Sequence, residues 1–161
     1  MSGVRVGVGY DLHRWGEGGE LVLGGIAFAG HPRLRGHSDG DVVLHALADA
    51  VLGAAAAGDI GRYFPPDDDR YRGMDSSRIL EEVMAGIALL RWRVANADLT
   101  VIAEQPRIGP RVEEMRARIA SLLGVDAGRV SVKGKTNEGV DAVGRGEAIA
   151  CHAVVLLERA E

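Results

Sequence analysis

Asp11 and His13 stand two residues apart near the start of the chain. His45 and Asp49 stand four apart in DVVLHALADAVLGAAAA, a run that begins at Asp41. If the first stretch is a strand, Asp11 and His13 project from one face. If the second is a helix, Asp41, His45 and Asp49 form one stripe, because residues four apart stack. That stripe is the exception on a helix otherwise apolar nearly all round, a pattern that predicts burial. Asp, His and His are suitable donors for a catalytic zinc, which takes three protein ligands and keeps a fourth position open. Asp49 would then hold the second nitrogen of His45. A helical histidine flanked by acids is more often salt-bridged than metallated, and spacing alone leaves both readings standing.

The elements that must position these residues follow from periodicity. Val4 to His13 alternates, with Val6, Val8, Tyr10 and Leu12 on one side and Gly7, Gly9, Asp11 and His13 on the other. Leu21 to Ala29 reads as a second strand or a hairpin broken at Gly24-Gly25. The helix over about Asp41 to Ala56 follows Ser38-Asp39-Gly40-Asp41, which resembles a capping box. GDIGRYFPPDDDRYRGM reads as a long loop, of a kind that in a compact domain is functional or disordered. Asp75 caps a helix over Ser76 to about Arg91, VANADLTVIAE is a strand, and Pro110 opens a helix to Leu123. Val130 to Lys135 and Ala148 to Leu157 are strands around the turn GVDAVGRGE. The expected fold class is α+β, a single-domain sandwich spanning residues 1–161. Helices cover one face of a mixed sheet, and neighbouring subunits cover the other.

The totals exclude several classes. The chain has 161 residues, 47% hydrophobic and 26% charged, as expected for one globular domain. A net charge of −4 gives no electrostatic reason to expect nucleic acid or an anionic membrane. No apolar run reaches the roughly 18 residues of a membrane span, and no signal segment is visible. One cysteine, Cys151, precludes an internal disulfide, so a cytoplasmic location is expected. Gly accounts for 23 residues, which suggests tight turns and close backbone approach. Both lysines, Lys133 and Lys135, fall in VKGKTNE. His37 alone reads as a loop residue, and His31 and His152 carry no pattern.

YDLH, GHSDGDVVLHALADAVLGAAAAGDIGRYFP, VKGKTNEG and GRGEAIA together resemble the 2-C-methyl-D-erythritol 2,4-cyclodiphosphate synthases of the non-mevalonate isoprenoid pathway. The resemblance runs the whole length, in order. It implies a homotrimer with active sites between adjacent subunits, each with one Zn2+ and a second divalent cation, Mg2+ or Mn2+. The implied reaction turns 4-diphosphocytidyl-2-C-methyl-D-erythritol 2-phosphate into the cyclic diphosphate and CMP.

By that resemblance Asp11, His13 and His45 take the zinc positions, and Glu138 takes the second ion on the diphosphate. His37 and Thr136 match positions that stabilise the transition state. His37, Ser38, Asp59, Ile60, Gly61, Phe64, Asp67 and Asp68 match segments around the methylerythritol and phosphates. Ala103, Pro106, Arg107, Ile108 and Gly109 match the cytidine pocket. Lys135 and Asn137 flank Thr136. Lys135 reads as a phosphate contact or, equally, as an exposed strand-end lysine. Asp59 taken alone is a turn aspartate.

This chain has Asp141-Ala142 where the family often has Gly-Phe, and Ala148 where GRGEG has its last glycine. Arg145 and Glu147 keep an anion site at the axial cavity, where members hold isoprenoid diphosphates. Arg145 is expected to serve that site or trimer packing. Some relatives are fused to a cytidylyltransferase, for which this chain is too short. Two other functions fit parts of the pattern: a metal-dependent hydrolase of a CDP-alcohol, and a non-catalytic trimer binding isoprenoid diphosphates. Structural zinc usually has four protein ligands, so an Asp/His/His set speaks against the last.

Overall fold

The computed structural model describes residues 3–161. Six strands and five helices run in the order β1 (Val4–Arg14), β2 (Leu21–Leu23), β3 (Ile26–Phe28), α1 (Val42–Ala54), α2 (Ile60–Tyr63), α3 (Ser76–Leu89), β4 (Trp92–Ile102), α4 (Val112–Leu123), β5 (Val130–Lys135), α5 (Asp141–Gly144) and β6 (Ala148–Arg159). Four strands form one sheet in the order β1-β6-β4-β5, antiparallel except for the β4–β5 pair. The expected α+β class, with a mixed sheet, is what forms. None of the described helices is long and apolar enough to cross a membrane.

The face of β1 that touches the core carries glycines rather than its apolar residues. Gly7 and Gly9 are buried, whereas Val6, Val8 and Tyr10 remain 65%, 66% and 51% exposed. Absent Cβ atoms let α1 lie directly on the strand: a Cβ on Gly9 would stand 1.8 Å from the carbonyl oxygen of Ala46. This close approach is how a strand with two charged-type side chains and a helix with a third bring them together.

Helix α1 is buried on almost every side. The sheet lies beneath it, and the β2–β3 hairpin ties to its start through Asp41. The Asp41 carboxylate caps α1 by accepting from the N–H groups of Val43 and Leu44 at 3.1 and 3.0 Å. It also accepts from Gly24 and Gly25 at 2.9 and 2.7 Å. The cap is therefore Asp41 itself; Ser38, expected in a capping box, turns its hydroxyl elsewhere. Leu21 to Ala29 is the hairpin, with its turn at Gly24-Gly25 in left-handed backbone. The long loop after α1 is partly ordered into α2 and a 3₁₀ turn over Asp69–Tyr71. Gly124, at φ 69°, ends α4.

The outer face of β1 continues onto β6 at Val154, leaving an apolar strip with no cover among the described residues. Farther across the same face it turns polar, where Lys133 pairs with Asp98 at 2.6 Å.

Candidate active site and metal centre

Asp11 Oδ2, His13 Nε2 and His45 Nδ1 converge at one corner of the sheet. The three separations are 2.8 Å (Asp11–His13), 3.2 Å (Asp11–His45) and 3.1 Å (His13–His45). Among the described residues this is the group of three or more side chains placed to hold a metal ion. Donors held 2.0–2.1 Å from zinc at tetrahedral angles stand about 3.3 Å apart, so the triangle fits zinc or a similar divalent ion. His45 is 7% exposed and forms the floor; Asp11 and His13 are partly open, leaving one side for a further ligand.

Electrostatics bind the triad without a metal. Burial raises the Asp11 carboxyl, but its bonds to His13 and His45 outweigh that and hold it well below the usual range. Burial lowers the His45 imidazole, yet the Asp11 bond and charge win and raise it. A metal would therefore displace a proton shared in this cluster.

The support of His45 differs from expectation. Asp49 does not hold its second nitrogen: the Asp49 carboxylate accepts from Ile60 N–H at 2.8 Å, fastening α2 to α1. His45 Nε2 instead meets Ser76 Oγ at 2.8 Å and Ser38 Oγ at 2.9 Å. Asp49 lies one helical turn beyond His45 and faces the start of α2. Ser38, expected around the substrate, thus places a buried hydroxyl under the metal centre. Ser76 and its partner Asp39 were missed because Ser76 meets His45 from 31 residues away and Asp39 acts only through Ser76, 37 residues from it, with no local signature beyond a helix start.

His37 sits in the loop above the triad. Its Nε2 contacts the carbonyl oxygen of Asp68 at 2.9 Å, and its own carbonyl accepts from Gly73 N–H at 2.7 Å. The imidazole is thereby tied to the Phe64–Asp68 segment. Phe64 packs edge-on against Tyr71, while the Asp68 carboxylate is engaged by Arg70, whose guanidinium lowers its pKa. Asp67 is exposed. Asp59 caps α2 through Arg62 N–H at 3.1 Å and is open to solvent; Ile60 and Gly61 begin that helix.

A second concavity of about 710 Å³ lies at the opposite edge of the sheet. The segment from Ala103 to Gly109, including Pro106, Arg107 and Ile108, lines it together with Lys135 and Thr136. None of the three triad residues does. Register explains the separation: Asp11 pairs with Cys151, Cys151 with Val101, and Val101 with Gly134. At 4.7–4.9 Å per strand the two lie about 14 Å apart along one row.

Asn137 closes the cleft by donating its backbone N–H to Glu104 at 3.0 Å. Glu138 follows in left-handed backbone, φ 52°, exposed and outside the triad. Asp141 also has positive φ, 65°. Its carboxylate accepts from Gly144 N–H and from Asn137 Nδ2, local bonds that make this backbone tolerable for Asp. Arg145 pairs with Glu147 at 2.7 Å on the surface.

A three-donor, one-side-open centre at one edge of an α+β sheet, with a nucleotide-sized cleft at the opposite edge, defines a class of metal-assisted enzymes. The chain belongs to the YgbB family, which it matches over residues 4–158, and it is an enzyme. It is 53% identical to the 2-C-methyl-D-erythritol 2,4-cyclodiphosphate synthase of Moorella thermoacetica, over 96% of this chain and 94% of that protein. It is 54% identical over 97% of its length to the bifunctional enzyme IspD/IspF of an Anaeromyxobacter strain, but spans only 40% of that protein. The Plasmodium falciparum IspF structure, a CDP complex, superposes with a TM-score of 0.86 at 33% identity. That match covers 100% of this chain and 99% of the other.

Proposed function

We propose that this chain converts 4-diphosphocytidyl-2-C-methyl-D-erythritol 2-phosphate to 2-C-methyl-D-erythritol 2,4-cyclodiphosphate, releasing CMP. The observation that carries the reading is the Asp11/His13/His45 triangle, whose three donors converge to within 3.2 Å of one another, in a chain akin to synthases of that name over nearly their full length. Bound there, zinc would supply Lewis-acid polarisation of a phosphate oxygen.

The substrate's 2-phosphate oxygen forms a bond to the β-phosphorus. The bond from that phosphorus to the bridging oxygen breaks, and CMP leaves with that oxygen. Two anions must approach, so positioning and neutralisation decide the rate more than a protein nucleophile does. Asp11, His13 and His45 hold the metal, and His37 and Thr136 donate hydrogen bonds to phosphate oxygens as charge shifts. Asp59 orients the erythritol hydroxyls with the carboxylate oxygen that its cap leaves free. Ala103 to Gly109 hold the cytidine, Lys135 adds a phosphate contact, and Glu138 would hold a Mg2+ or Mn2+ whose charge would offset that of the diphosphate.

The triad and the cleft lie at opposite edges of one sheet, which supports completion of each site between two copies. The uncovered apolar strip of β1 supports the same assembly, a homotrimer closed over that face. Arg145 belongs to the axial end of this assembly, where an isoprenoid diphosphate would meet Arg145 without an aromatic at Ala142.

Turnover in oxygen-18 water tests the chemistry. Internal attack yields CMP and cyclic diphosphate, both unlabelled. A 2,4-bisphosphate, one water heavier than the cyclic product, would instead establish a CDP-alcohol hydrolase, and binding of isoprenoid diphosphate without turnover would establish the non-catalytic trimer.

A further inference from the structure

His45 has two ring nitrogens, and a metal needs one with a free lone pair. Nδ1 faces the donor triangle, 3.2 Å from Asp11 Oδ2 and 3.1 Å from His13 Nε2. Nε2 faces inward to Ser76 and Ser38. Which nitrogen carries the proton is therefore set by two hydroxyl groups, and the orientation of one of these is set by Asp39.

The Asp39 carboxylate accepts from Asp41 N–H and from Ser76 N–H, each at 3.0 Å, and from the Ser76 hydroxyl. An ionised carboxylate only accepts. Ser76 has one hydroxyl hydrogen, which goes to Asp39, so its oxygen turns lone pairs toward His45. Nε2 must then be the protonated nitrogen, donating to Ser76 Oγ and sharing that proton with Ser38 Oγ. Ser38 in turn contacts Ser76 Oγ at 3.4 Å and accepts weakly from Gly40 N–H at 3.5 Å. Ser76 is fully buried, and no buried side-chain nitrogen or oxygen among the described residues lacks a partner. A network with every member satisfied holds one arrangement of protons.

We propose that Asp39 and Ser76 are positioning residues, a carboxylate–hydroxyl–imidazole relay that keeps His45 protonated on Nε2 and presents Nδ1 to the metal. This rests on reading Asp11, His13 and His45 as the metal centre. The relay also explains why loop 36–41 and the start of α3 are bound together. Asp39 N–H donates to the Met74 carbonyl at 3.0 Å, fixing the carboxylate relative to Ser76. Ser76 opens α3 behind its cap Asp75, which accepts from Ser77 N–H, so removing the Ser76 hydroxyl leaves the helix cap in place.

The test compares the parent protein with Ser76→Ala, Asp39→Asn and His45→Gln. Zinc affinity is measured by competition with a chromophoric chelator. The His45 ring proton is followed by nitrogen–proton correlation spectra of the zinc-loaded protein. The parent should bind one zinc per chain and show a slowly exchanging Nε2–H. Ser76→Ala should bind zinc about ten- to a hundredfold more weakly and exchange that proton rapidly, at a melting temperature close to the parent's. Asp39→Asn, which keeps an acceptor but removes its charge, should lose about tenfold. Parent-like affinity and a protected Nε2–H in both variants, with zinc lost in His45→Gln, would overturn the relay alone. If Ser76→Ala does not fold, unchanged affinity in Asp39→Asn overturns it. A parent that binds no zinc, or His45→Gln that binds it as tightly, would remove the metal centre beneath the proposal.

Discussion

Replacing Gly9 with Ala should separate the metal centre from its strand. The added Cβ would lie 1.8 Å from Ala46 O, 2.8 Å from Ala46 C and 2.8 Å from Ala50 N. All three are backbone atoms of α1, so no side chain can rotate away. Contacts under 3.0 Å are essentially never adopted by real Cβ atoms, so α1 must lift from β1 by about 1.2 Å. His45 neighbours Ala46 and travels with it, stretching the His13–His45 donor separation from 3.1 Å to as much as about 4.3 Å. Two nitrogens each 2.1 Å from zinc can be at most about 4.2 Å apart even in a straight line, and tetrahedral geometry needs about 3.4 Å. Zinc should thus be lost. Overpacking against backbone should cost about 3 kcal/mol, lowering the melting temperature by about 6–12 °C in a chain of this size. Gly53→Ala on the same helix is the control, because its nearest neighbour would be Val8 O at 3.9 Å. It should gain about 0.5–1 kcal/mol from helix propensity and keep its zinc. The assay is calorimetry with zinc content measured after gel filtration. A Gly9→Ala protein that retains one zinc per chain and melts within about 2 °C of the parent would refute the reasoning.

Two further outcomes follow from buried groups. Asp41→Ala leaves four backbone N–H groups at the hairpin turn and the start of α1 without their carboxylate, and should cost about 3 kcal/mol or more in denaturant unfolding. Cys151 is fully buried, and burial pushes its thiol well above the ordinary range. Iodoacetamide at pH 8 should leave Cys151 unlabelled until the chain is unfolded, and rapid labelling of the native protein would contradict this packing.

Much of the site was legible because it is encoded locally. Asp11 and His13 share a strand face, and His45 lies on the polar stripe of a mostly apolar helix; those two local periods singled out the candidate donors, and the family resemblance, not spacing, favoured a metal over a salt-bridged histidine. The boundaries of β5 agree with the periodic reading, and α3 and β6 differ at their far ends, where the last turn or strand edge depends on neighbours. The apolar alternation of β1 was visible too, but not that its glycines, rather than its valines, would face the core. That outcome needs α1 on top of the strand, and helix packing is not a property of the strand's own residues.

Sequence alone determined the elements, the donor types and the family, because spacing and motif order survive without coordinates. Tertiary structure decided what holds His45. Asp49, one turn away, was the local candidate, yet its carboxylate turns to Ile60. Ser76 and Asp39 reach the imidazole from 31 residues downstream and, through Ser76, from the loop before α1. Hydrogen bonds form between atoms that packing brings within about 3 Å, and that proximity is set by how α3 and loop 36–41 close over α1 rather than by any repeat in the chain.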